Sequence, residues 1–115
     1  MIRLKPGVRI GGIQPQVFFA VTVAEGVWRK YGAQELVWSG GIEGTHTRGS
    51  EHYTFLAADL RTKDLGTAHD RGPAKRACAE LQDRLGPDYD VLFENEGQEN
   101  EHCHVEFDPK LPYGG

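Results

Sequence analysis

The chain predicts an α+β domain, a small antiparallel or mixed sheet packed with two main helices. Apolar residues recur at helical spacing in two stretches, around 14–31 and 70–85. Four short runs rich in β-branched and aromatic residues sit between glycine, proline or acidic breaks. Strand-like and helix-like segments are thus mixed along one chain, two helices against a small sheet. With 115 residues, 38% of them hydrophobic, there is enough chain for one modest core. A single domain over 1–115 is expected, with its core at about 10–109.

From Gln14 to Tyr31, Val17, Phe18, Val21, Ala24 and Trp28 fall three and four apart on one helical face. Pro15 suits a first turn and Gly32 a stop. The β-branched residues and Gly26 count mildly against a helix there. Glu35–Ser39 reads as a short strand ended by Gly40 and Gly41, and a polar loop runs from Ile42 to Ser50. Phe55–Leu60 reads as a second strand, buried on both sides near its middle, and Thr62 to Asp70 as a polar connection. A second helix follows, with Asp70 as candidate cap, Pro73 early, Ala77, Leu81 and Leu85 on one stripe, and Gly86-Pro87 as its end. Tyr89–Phe93 and His102–Phe107 are the last strands, joined by the acidic turn Glu94–Asn100. Only the tail after Pro109 reads as free.

Seventeen acidic against thirteen basic residues leave a formal net charge of −4, with no run of Lys or Arg along one face. The electrostatic footprint of a nucleic-acid binder is missing. The apolar stretch from Val17 to Val27 is too short and too interrupted to cross a bilayer, so no membrane association is expected. Cys78 and Cys103 do not make a disulfide framework, and no C-x-x-C spacing suggests a thiolate metal site. The start shows no apolar run behind its basic residues, so the expectation is a cytoplasmic protein without a signal peptide, acting as a monomer.

The chemistry-bearing residues are His52 and Asp59, seven apart, and Glu101-His102-Cys103-His104 far downstream. A hydrolytic zinc site needs three protein ligands and an open position for water, whose pKa then falls toward ~7. His52, Asp59 and His104 meet that count for one Zn²⁺ ion. Glu101, three before His104, is a candidate base for the water, worth roughly 10²- to 10⁴-fold. Strand alternation puts His102 and His104 on one face and Glu101 on the other, so Glu101 reaches that water only if the chain bends there. His102 could also face the ion or the substrate. The same histidines also fit ordinary surface and loop positions, the reading given to His46 and His69. Cys103 should face the core, pointing away from both neighbouring imidazoles, which disfavours a Cys–His nucleophile.

At these residues the chain resembles the zinc-dependent D-alanyl-D-alanine carboxypeptidase family, peptidoglycan peptidases that include phage L-alanyl-D-glutamate endolysins. The family pattern S-x-H-x-x-G-x-A-x-D is matched by Ser50, His52, Ala57 and Asp59, and its later E-x-x-H by Glu101 and His104. The approach from Gly44 to Tyr53 and the exit Asp59-Leu60-Arg61-Thr62 also resemble small phage-type members, and the likeness spans about 15 to 109. It implies a Hedgehog/DD-peptidase-like fold, zinc on His52, Asp59 and His104, and Glu101 as catalytic acid/base. The substrate it implies is a peptidoglycan stem peptide, reached when another protein releases the enzyme during phage lysis. Two positions depart from the pattern: Phe55 stands where the motif has glycine, and Ser39–Glu43 lacks the arginine many members carry there. Arg48 is a candidate for the oxyanion or a substrate carboxylate in its stead, and Ser50 for orienting ligand or substrate.

Overall fold

The computed structural model describes residues 1–41 and 56–110. Two helices, α1 (Pro15–Lys30) and α2 (Gly72–Leu85), cover one face of a mixed five-stranded sheet. In chain order the strands are β1 (Ile2–Leu4), β2 (Leu36–Gly40), β3 (Ala57–Arg61), β4 (Tyr89–Glu94) and β5 (His102–Phe107). Their order across the sheet is β1-β2-β3-β5-β4, with β1 parallel to β2 and every other pair antiparallel. This is the expected α+β domain. The sequence reading missed β1, whose three exposed residues carry no buried face and so no alternation.

α1 forms despite its β-branched residues because Val17, Val21, Ala24, Val27 and Trp28 are almost fully buried against the sheet and α2. Burial on that scale outweighs the few tenths of a kcal/mol per residue that propensity costs. Phe18, expected on the buried stripe, is 41% exposed and meets Trp38 edge-on with ring centroids 5.5 Å apart. The helix ends in a Schellman turn: the Gly32 N–H donates to Arg29 and the Ala33 N–H to Trp28, with Gly32 at φ 100°. α2 has Arg71 at its cap, one position after the expected cap Asp70, whose carboxylate accepts from the Gly72 N–H, and the buried stripe is Ala74, Ala77, Cys78 and Leu81. Both cysteines are buried free thiols, and burial together with the neighbouring Cys78 pushes the Cys103 thiol up.

In β5 the alternation is strict: Cys103, Val105 and Phe107 are buried on the helix side, while His102, His104 and Glu106 lie half-buried on the far side. Lys110, in the tail read as free, is held by its backbone N–H on Asp88 and by its ammonium on Asp90 and Asp108.

A candidate metal centre on the far face of the sheet

Pairing across β3, β5 and β4 sets the far-face side chains in rows. Asp59 stands opposite His104 and then Leu92, Arg61 opposite His102 and then Glu94, and Ala57 opposite Glu106 and then Asp90. Directly opposed residues in antiparallel strands hold their Cβ atoms about 5 Å apart, so the register alone brings Asp59 to His104. Asp59 Oδ1 lies 2.8 Å from His104 Nδ1. The other ring nitrogen, Nε2, is 2.7 Å from Glu106 Oε1, one strand period away. Burial works against a charged imidazole, but the hydrogen bond and charge of Asp59, then those of Glu106, outweigh it and raise the His104 pKa to about 9.

His102 is the next residue on this face. Its Nδ1 is 2.8 Å from the Asn100 carbonyl, which can only accept, so Nδ1 carries a proton. Its Nε2 is 2.9 Å from Glu94 Oε1 and 3.7 Å from Asp59 Oδ1. Asp59 in turn needs the glycine at position 40: a Cβ there would stand 2.7 Å from Asp59 Oδ2. The register shift between Trp38 and Gly40 sets this glycine against Asp59, and the Trp38 indole N–H closes the bulge on the Gly40 carbonyl at 2.9 Å.

Glu101 lines the same cleft as Asp59 and His102, but its carboxylate touches neither of them nor His104. It immediately precedes β5 in phase with Cys103, so its carboxylate enters the helix side, where it is 1% exposed. There Arg71 grips it with Nε on Oε2 at 2.9 Å and Nη2 on Oε1. The Thr62 hydroxyl donates to Oε1, and the Gly97 N–H to Oε2 at 2.9 Å. The remaining Arg71 donors go to the carbonyls of Thr62, Leu65 and Thr67, which ties the N-terminus of α2 to the β4–β5 turn. Burial alone would raise the carboxyl pKa, but Arg71, Gly97 and Thr62 together lower it to about 2. A carboxylate with both oxygens so engaged is a weak base, and the bend that would have turned it toward His104 is absent.

Of the other expected site residues, His52, Ser50 and Arg48 lie outside the described residues, as do His46, Tyr53 and Phe55. His69 is exposed on the connection before α2, and Trp38 is in the core. Sequence reasoning missed Glu106 and Glu94. The signal for Glu106 was available, since His102, His104 and Glu106 recur at the strand period. Glu94 needed the β4–β5 register.

One further group on the far face can hold a cation. Asp90, Glu106 and Asp108 present ligand atoms that all lie within 4.8 Å of one another. The Lys110 ammonium sits 3.0 Å from Asp90 and 3.2 Å from Asp108, so much of that negative charge is already met. No helix among the described residues is long and apolar enough to cross a membrane. No protein-family model matches this chain, and no curated protein matches it significantly.

Proposed function

We propose that the chain is a zinc-dependent peptidase that hydrolyses an amide bond in peptidoglycan stem peptides, at D-Ala-D-Ala or L-Ala-D-Glu, with His52, Asp59 and His104 holding one Zn²⁺ ion. The observation that carries this reading is the 2.8 Å contact of Asp59 Oδ1 with His104 Nδ1 on directly paired strand positions. A carboxylate oxygen and an imidazole nitrogen at one point are two donors that zinc accepts, and a hydrolytic site needs one more. The segment carrying His52 leaves the sheet at Gly41, beside the glycine paired with Asp59, and returns at Leu56, three residues before Asp59.

Glu106 acts on His104. By accepting from Nε2–H it fixes the ring, the carboxylate–histidine arrangement common behind metal-bound imidazoles; in the metal-free protein Nδ1 also donates a proton to Asp59, and zinc would take that proton's place. Bound zinc would supply Lewis-acid polarisation of the scissile carbonyl and a water acidified toward ~7. His102 takes the proton-transfer role first expected of Glu101: its Nδ1 proton stays on the Asn100 carbonyl, and Nε2, which donates to Glu94 at 2.9 Å and faces Asp59 at 3.7 Å, is the atom that gives up and takes back a proton. Glu101 holds the turn that presents β5.

Purified protein should bind one zinc per chain, lose it on His104→Ala, and release new termini from purified peptidoglycan, identified by mass spectrometry. Absence of stoichiometric zinc would overturn the reading. A metal-binding domain without turnover, or a virion structural or interaction module of this fold, is the alternative, favoured by the engagement of both Glu101 oxygens with Arg71. Zinc bound without hydrolysis would select the first of these.

A further inference from the structure

Arg61, His102 and Glu94 form a row across β3, β5 and β4 on the far face, one strand period from the row that carries Asp59 and His104. The His102 ring is held as metal-ligating imidazoles are held. The Asn100 carbonyl takes its Nδ1 proton at 2.8 Å, which fixes the ring and turns Nε2 toward two carboxylates. These are Glu94, with Oε1 at 2.9 Å, and Asp59, with Oδ1 at 3.7 Å. Donor atoms on one tetrahedral zinc stand roughly 3.3 Å apart, the edge set by Zn–N and Zn–O bonds of about 2 Å. The two separations bracket that value, so an ion between Nε2 and either carboxylate needs little side-chain movement.

Asp59 Oδ1 also lies 2.8 Å from His104 Nδ1. One carboxylate thus stands between two imidazoles, the position from which a carboxylate bridges two ions. Access is open, since Asp59 and His102 line a cleft of about 800 Å³ and the Glu94 side chain is 44% exposed. Arg61, the remaining member of the row, is exposed, so solvent screens its charge more than that of carboxylates in direct contact with an ion.

We propose that His102 and Glu94, with Asp59 as a shared carboxylate, form a second and weaker zinc site whose occupation inhibits hydrolysis. The incoming ion takes the place of the Nε2 proton, which passes to solvent, and so removes the atom that moves protons in the reaction. As an ion site this stands on the row itself; as an inhibitory site it rests on the peptidase reading. One of its ligands is shared with the His52, Asp59 and His104 centre, which sets its affinity below that of the first ion. Hydrolysis should therefore rise as the first ion binds and fall as the second does, and free zinc becomes a regulator of the site it also activates.

The test adds zinc stepwise to the metal-free protein, counts bound ion by equilibrium dialysis, and follows hydrolysis of purified peptidoglycan in the same samples. Two ions per chain are expected, with the His102 ring signals in NMR moving in the second step and hydrolysis falling with it. Glu94→Gln should weaken the second ion by ~10-fold or more and leave the first in place. Glu96→Gln, on the neighbouring turn and paired with Lys75, should change neither. Saturation at a single ion, or an equal weakening in Glu96→Gln, would overturn the site. A second ion bound while hydrolysis runs on undiminished would overturn the inhibition. A second ion bound to a protein that hydrolyses nothing at any zinc concentration would sink the peptidase reading and leave the ion site standing.

Discussion

Two charged clusters flank β5 and differ in almost every physical respect. On the helix side, Arg71, Glu101, Thr62 and the Gly97 N–H form a closed set in which all the strong donors and acceptors are used within the fold. On the far side, Asp59, His104, Glu106, His102 and Glu94 sit at half-exposed positions, in contacts a cation or a substrate can replace. The lesson is that sequence proximity to a histidine does not put a carboxylate on the histidine's face of the sheet. One step along a strand sends Glu101 into the contacts of Arg71 and His102 onto the opposite face.

The largest expected effect is on the far side. His104→Ala should weaken zinc binding by well over the ~10- to 100-fold expected for losing an outer partner, measured by competition with a chelator, and should abolish hydrolysis. Next, Glu101→Gln should destabilise the fold by roughly 3–5 kcal/mol in denaturant unfolding, because Arg71 is left buried without its counter-charge. Its hydrolysis per folded molecule should fall less than tenfold, against ~10² or more for His102→Gln. The reverse pattern would return the base role to Glu101. Glu106→Gln, which keeps the shape and removes the charge, should weaken zinc by about 10- to 100-fold with little change in stability.

The pH dependence of the metal-free protein should separate the clusters by sign. Glu101 has its pKa lowered from 4.5 to about 2, so its stabilisation, roughly 3 kcal/mol, is present above about 4.5 and is lost as pH falls toward 2. His104 has its pKa raised from 6.5 to about 9, so its stabilisation is present below about 6.5 and is lost as pH rises through 9. Thermal unfolding across that range should show both arms. Glu101→Gln should shrink the acid arm, to which the lowered carboxyls of Glu25, Glu80 and Asp108 also contribute, without changing the alkaline arm, and zinc, which takes the unprotonated Nδ1, should suppress the latter. The smallest effect is expected for Gly40→Ala, whose Cβ would press on Asp59 Oδ2. It should lower zinc affinity by a few fold and leave Tm within a few degrees, as read by chelator competition and calorimetry.

Much of this was legible in the residues. Both helices, the strand at His102–Phe107 and the stop at Gly32 follow from period and turn chemistry, which are local properties. So does the inward turn of Cys103, since alternation leaves it only the buried face. β1 was invisible because an exposed three-residue strand is held by pairing with β2 rather than by any pattern of its own. Phe18 was misplaced because a helical stripe is wider than the surface it meets.

The candidate centre divides the same way. That His102, His104 and Glu106 share a face is a matter of the two-residue strand period, and the chain determines it without help. That Asp59 stands across from His104 and that Arg71 meets Glu101 depend on which strands lie side by side. Register is settled by burial of the opposite face and by the Gly40 bulge, interactions between residues distant in sequence, and no local spacing encodes them.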